Sequence, residues 1–345
     1  MFYFIRILYT KMPFYKKILV LLILLLFSYI LFQLLKKRQE IQKLSSKEGF
    51  TTKIQPVNSA NTQMPLSQYC IKASYNTALS GKTISMDAVN AIIANGCRFL
   101  DFEVFLIDGI PYVAYSTDSS FKTVQTENKI LLDNVLTGVL SRAFVDIYCP
   151  NPSDPLFIQL RIKSTDNSIY KAVAKSVDYA LKEKLHKTPI TPATKLAEIM
   201  NKVVLVMDKT IQYDYLNYTT CGSNDKNCYD LSKYINIESG SEYMKIQRYG
   251  DVLNKKINPP TINDDNETTS VSNIQLVLPD FDAANIKNPN INTLVSKYGC
   301  QIVPYRYYNA DNELSNYETF FSDNKSAILP LSKALMYFTK LESDQ

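Results

Sequence analysis

Two carboxylates two residues apart, one arginine and a short Ser-Tyr-Asn-Thr run are the parts of this 345-residue chain that could do chemistry. Asp101 and Glu103 stand in NGCRFLDFEVF, so on a strand they would share one face. Such a pair of carboxylates could ligate a hard cation such as calcium, which takes oxygens. Arg161, in PLFIQLRIKS, could pair with those carboxylates or clamp a phosphate. Taken alone, such acids read as a solvated pair and such an arginine as a structural partner. Proton transfer near neutrality favours histidine, and the chain has one, His186. It follows KEKL at a helix end, where solvation or a contact with the helix C-terminus accounts for it. Tyr75, with a phenol that ordinarily titrates near ~10, would be a poor base.

The surrounding pattern predicts the scaffold. Residues 98–106 alternate as a strand does, and 130–147 put Leu132, Val135, Leu136, Val139, Leu140 and Ala143 on one helical face. Residues 156–162 read as a strand. Residues 167–185 read as a helix with Ile169, Val173, Val177 and Leu181 in line after an Asn167 cap. The apolar runs 203–207, 275–278 and 301–305 read as strands buried on both faces. Such alternation predicts parallel β/α units. Two segments interrupt it: residues 208–240, rich in Tyr, Asn and Lys, and residues 253–273, expected as a loop or disordered. Tyr305, Tyr307 and Tyr308 read either as barrel-rim packing or as a lipid- or sugar-facing stripe.

Composition adds compartment and partners. Hydrophobic residues make up 46% and the net charge is +5 with both signs mixed, which gives no support to nucleic-acid binding. Residues 18–35 are an uncharged apolar run whose helix would rise roughly 27 Å, nearly a bilayer core. The expectation is a single-pass membrane protein: a short tail over 1–17, a transmembrane helix over 18–35, a polar tether over 36–64 and a globular part over 65–340. Basic residues flank the run almost equally, with Arg6, Lys11, Lys16 and Lys17 before it and Lys36, Lys37, Arg38, Lys43 and Lys47 after it. Orientation stays open. Of six cysteines, Cys221 and Cys228 flank a polar loop and could close a ring; the others fall in apolar stretches. Sequons at Asn217, Asn266 and Asn324 carry little weight in so Asn-rich a chain. The Lys-, Asn-, Ile- and Tyr-rich composition is reminiscent of membrane proteins of large DNA viruses, which would place the chain in a viral or host internal membrane.

Four fragments in this order resemble the phosphoinositide-specific phospholipase C family. That family cleaves a phosphodiester with two histidines and calcium. Its S-H-N-T, G-C-R-x-x-E-L-D, P-x-x-Y-H-G-H-T and P-V-I-L-S-I-E motifs correspond here to Ser74–Thr77, to Gly96, Cys97 and Arg98 with Asp101 and Glu103, to the stretch from Pro111 to Thr117, and to PLFIQLRIKS. Farther on, Gly299, Cys300, Gln301 and Val303, then Asp311, Phe320 and Phe321, resemble the second barrel half. The resemblance implies a TIM-like (β/α) barrel of the phospholipase C-like phosphodiesterase type after one N-terminal transmembrane helix. It also implies calcium ligands at Asn76, Asp101 and Glu103. The departures are specific: Tyr75 and Thr117 stand where the two histidines would be, and Arg161 where a glutamate would be. A guanidinium there repels calcium and could replace it. Metal-independent bacterial relatives use an arginine for that charge, from another strand, but keep both histidines. The expectation is a degenerate, catalytically inactive barrel with a binding or structural role toward a phosphorylated headgroup or a protein partner. The alternative is an active, calcium-independent diesterase, with Asp101 or Glu103 as base, Tyr75 as acid and Arg161 as phosphate clamp. A third possibility makes residues 208–240 the working surface.

Overall fold

The computed structural model describes residues 13–45, 52–222, 228–265, 267–280 and 287–343, in two compact units, Met1–Lys47 and Glu48–Gln345. Residues 1–12 of the expected tail, 46–51 of the tether and the sequon at Asn266 lie outside the described residues. In the first unit, α1 (Phe14–Ser45) takes up the apolar run and continues ten residues beyond it, so 36–45 are helical rather than the structureless tether expected. Its uninterrupted stretch of described side chains, residues 21–33, is exposed. Among the described residues no helix is long and apolar enough to cross a membrane, and they do not support the span expected at 18–35.

The second unit begins earlier than the expected Pro65: Ile54 and Val57 are already buried. Its elements follow in order: β1 (Tyr69–Ser74), the small hairpin of β2 (Leu79–Ser80) and β3 (Thr83–Ile84), α2 (Met86–Ala94), and β4 (Phe99–Ile107). Then come β5 (Ile110–Val113), β6 (Ile130–Leu131), α3 (Leu132–Ala143), β7 (Leu156–Ile162), α4 (Ile169–Leu181) and β8 (Val203–Asp208). The second half holds β9 (Ile237–Ser239), β10 (Met244–Arg248), α5 (Tyr249–Leu253), β11 (Ile274–Leu278) and β12 (Ile302–Tyr305). It ends with α6 (Asn312–Asp323), β13 (Ile328–Pro330) and α7 (Leu331–Ser343). Strands β1, β4, β7, β8, β9, β10, β11 and β12 pair in parallel around a closed ring, since β12 returns to β1. This is the TIM-like barrel expected from alternating strand and helix signals. β13 seals the lower half of β1 in antiparallel pairing.

Helix boundaries follow local chemistry. Ser85 Oγ accepts from Asp87 N to open α2, and Asp311 Oδ1 accepts from Leu314 N to open α6. α4 starts after Ser168, not at the expected Asn167 cap; Asp166 Oδ1 takes the Ser168 N–H instead. Three barrel strands, β1, β9 and β10, lie outside the expected set, and β9 falls inside the segment read as an insertion. Residues 253–273 are a loop but a fastened one. Gln68, before β1, accepts from Thr269 N and donates to Val271 O, which holds that loop to the lower end of the barrel. Gly96, between α2 and β4, has φ +78°, and a Cβ there would come 2.9 Å from Ile54 Cγ2. Gly96→Ala is expected to cost about 1–3 kcal/mol through strain and overlap, read as a lower urea midpoint with an unchanged slope.

Candidate functional site

The interior face of each strand changes character from bottom to top. On β4 the inward series is Phe99, Asp101, Glu103; on β7 it is Phe157, Gln159, Arg161; on β8 it is Val204, Val206, Asp208; on β10 it is Met244, Ile246, Arg248. The lower members join the barrel core with Ile71, Leu276 and Ile302. The upper members are polar and point toward the C-terminal ends of the strands, where barrels of this type carry their sites. The period of two that builds each strand therefore also delivers the charged groups to one mouth.

Parallel register places Glu103 beside Arg161, and the two bond. Arg161 Nε and Nη2 donate to Asp101 Oδ1 and Oδ2, each at 2.8 Å. Nη1 donates to Glu103 Oε1 at 2.8 Å, and Nη2 also to Asn76 Oδ1 at 2.7 Å. Four of the five N–H donors of the guanidinium are thus taken up by the three groups expected to ligate a cation. Asn76 sits at φ 45°, just past β1, and its N–H donates to Asp101 Oδ2 at 2.9 Å. The Tyr75 ring lies under the guanidinium, 4.4 Å from Cζ. Asp101, Glu103 and Arg161 are at most 1% exposed.

Lys163, absent from the expected set, completes the cluster. It follows Arg161 by two residues and so shares its face. Its Nζ lies 3.0 Å from Glu103 Oε2 and donates to Ser116 O at 2.7 Å, while Ser116 N donates to Glu103 Oε2 at 3.1 Å. The expected site residues are therefore brought together: Tyr75, Asn76, Asp101, Glu103 and Arg161 in one network, with Thr117 at the rim. Thr117 Oγ1 and N both approach Gln125 Oε1 at 3.1 Å. His186 lies apart, with Nε2 2.9 Å from Thr188 Oγ1. Of the tyrosine stripe, Tyr305 and Tyr307 are buried, the first stacked on Tyr317 and the second donating to Glu318 Oε1. Tyr308 lines the mouth.

Electrostatics follow from the geometry. Burial pushes the Glu103 carboxyl up, but Arg161 and Lys163 outweigh it and hold the group below the usual carboxylate range. Burial would lower the Arg161 pKa, yet Asp101, Tyr75 and Glu103 hold it well above its ordinary value. Burial pushes the Tyr75 phenol up to about 12 despite Arg161, which keeps it neutral. Above the network opens a cavity of about 750 Å³, walled by Tyr75, Tyr115, Phe121, Tyr308, Arg248 and Asp208 among others. Cys221 and Cys228 are joined by a disulfide, and Cys70, Cys97, Cys149 and Cys300 are free and buried.

Residues 62–209 match the family model for the phosphatidylinositol-specific phospholipase C X domain. No curated protein matches the chain. Among solved structures, S. officinalis PLC21 is similar with a TM-score of 0.58 at 16% identity, over 81% of this chain and 38% of that one. L. pealei PLC21 gives 0.56 at 15% identity, over 78% and 37%. This chain thus spans well under half the length of either protein. At such identity the likeness speaks for the fold, and it extends past residue 209 into the second half of the barrel.

Proposed function

We propose that the chain is a divergent member of the phosphatidylinositol-specific phospholipase C superfamily, on the X-domain match over residues 62–209 and the shared barrel, and that it is a catalytically inactive barrel of that type with a binding role at its mouth. The Arg161 network carries this reading. Asp101 and Glu103, the bases of the active alternative, are buried and bonded to a guanidinium. A base must reach the proton it removes, and these two are turned inward onto Arg161. Tyr75 is a neutral phenol and Thr117 a hydroxyl, so neither position offers a group that exchanges protons near neutrality. Calcium does not fit the same residues: Asn76 Oδ1 and both acids already accept from Arg161, and a divalent ion would sit against a fixed positive charge. In this reading Arg161 is the cation of the site.

We further propose that α1 is a single-pass anchor. The support is the uncharged run 18–35 within a 32-residue helix and the exposure of its described side chains. Flotation of the full chain with liposomes, resistant to high salt and to carbonate, is expected; release by carbonate would defeat the anchor.

The activity reading is tested by assaying the full chain in detergent micelles with phosphatidylinositol, in calcium and in chelator. No turnover is expected in either. Turnover that disappears in Arg161→Ala would instead make this an active, metal-independent diesterase.

A further inference from the structure

The fold treats two of the chain's sequons in opposite ways. Asn217 opens Asn217-Tyr218-Thr219 and lies in a single 3-10 turn, Tyr215–Tyr218, beyond β8. In such a turn residues three apart share a side. Tyr215 and Tyr218 take the inner side, with rings 5.7 and 6.4 Å from that of Tyr170 in the first turn of α4. Tyr218 donates to Asp214 Oδ2 at 3.2 Å, and the buried Thr219 donates through Oγ1 to Leu216 O at 3.0 Å. Asn217 is left exposed, and its side-chain amide makes no hydrogen bond among the described residues. A pinned turn thus presents an unengaged carboxamide to solvent. Asn324, which opens Asn324-Lys325-Ser326, closes α6, is half-buried and donates from Nδ2 to Phe320 O at 2.8 Å. A sugar on that nitrogen would cost the helix end its bond.

A second observation lies four residues on. Cys221 is joined to Cys228, and both are partly exposed, whereas the four remaining cysteines are buried thiols. A disulfide within reach of solvent persists in an oxidising compartment and is reduced in the cytosol. The cysteines whose state depends on compartment are therefore the pair beside the exposed sequon. Disulfide formation and N-linked glycosylation both belong to the lumen of secretory membranes.

On the reading that α1 is a membrane anchor, we infer that Asn217 is an N-glycosylation site and that the barrel stands on the lumenal side of the membrane. This sets the orientation that the flanking charges leave open. The co-reactant is a lipid-linked oligosaccharide. Asn217 Nδ2 forms a bond to C1 of its first sugar as the bond from C1 to the lipid pyrophosphate breaks. The pyrophosphate leaves with that electron pair, and the amide gives one proton to a base of the transferase. The acceptor sequence is read as the chain enters the lumen, before Thr219 is buried. The exposure of Asn217 then lets the barrel close with the sugar in place.

The experiment is cell-free synthesis of the full chain with endoplasmic-reticulum membranes, for wild type, Asn217→Gln, Thr219→Val and Asn324→Gln. Wild type should migrate more slowly with membranes than without, and peptide N-glycosidase should reverse the shift. Asn217→Gln and Thr219→Val should each lose one step of it, and Asn324→Gln none. Thr219→Val keeps the buried shape and the Asn217 amide, so a step lost in both variants belongs to the sequon. No shift in wild type, or a shift that Asn217→Gln and Thr219→Val retain in full, would overturn the inference. A carbonate wash keeps the two readings apart. A glycosylated chain that washes off would defeat the anchor and leave Asn217 assigned. An unmodified chain that stays in the membrane would do the reverse.

Discussion

Replacing Arg161 by alanine or methionine is expected to destabilise the barrel by about 3–5 kcal/mol at neutral pH, the usual cost of leaving buried charges without their partner. Asp101 and Glu103 would lose four charge-assisted bonds between them and Asn76, in a place with almost no access to water. Lys163 still reaches Glu103 but bonds neither oxygen of Asp101. Urea melts of wild type and variant measure the difference. A penalty below about 1 kcal/mol, typical of exposed pairs, would mean that the network contributes little to stability.

The same variant should change sign in its pH response. In wild type the folded Glu103 pKa lies below its ordinary 4.5. Its contribution is therefore complete above that value and is lost as pH falls through the lower folded one. Without Arg161, burial becomes the leading influence and the Glu103 pKa should rise. Stability would then be present at acid pH and lost as pH climbs through the raised value, so the penalty for Arg161→Ala should shrink between pH 7 and pH 4. Removing the acids along with the cation, as in Asp101→Asn, Glu103→Gln, Arg161→Met, should recover most of the loss, because no charge is then stranded.

Much of the scaffold was legible because its strands are long enough to show a pattern. β4, β7 and β8 carry six or more residues each, and their apolar runs or alternation fix the element within a residue. β9 has three residues, too few for any period, and it lies in a segment whose polar composition reads as a loop. β10 alternates Met244, Ile246, Arg248, a signal that its short length and polar flanks obscured. In the site, adjacency of Glu103 and Arg161 depends on parallel register, which no single strand encodes; only the likeness of ordered motifs placed them together. Lys163 and Asp208 were within reach of the sequence. Each extends an inward series by one more step of two, Gln159–Arg161–Lys163 and Val204–Val206–Asp208. Each was passed over because it stands at the edge of an apolar run, where a charged residue reads as the strand's end.

Restoring the lost groups together, by Tyr75→His, Thr117→His and Arg161→Glu, is expected to produce calcium-dependent cleavage of phosphatidylinositol, on the order of 10⁴-fold above the wild-type background. The Arg161→Glu change alters local charge by two units and frees Asn76 Oδ1, Asp101 and Glu103 while adding a fourth ligand side chain. Calcium takes six to eight oxygens, so water would complete the shell. Positions 75 and 117 line the same cavity, one at its floor and one at its rim, so imidazoles there would stand on two sides of a bound diester. Lys163 stays against Glu103 Oε2 and should weaken the ion's affinity; adding Lys163→Met should lower the calcium concentration needed for half activity. The two histidines without Arg161→Glu should show no calcium response, since the guanidinium still fills the ligand set. A triple variant that folds and binds calcium yet stays silent would mean that Thr117 does not mark the second histidine's place. The inactivity proposed for the natural chain would then need a cause beyond these three side chains.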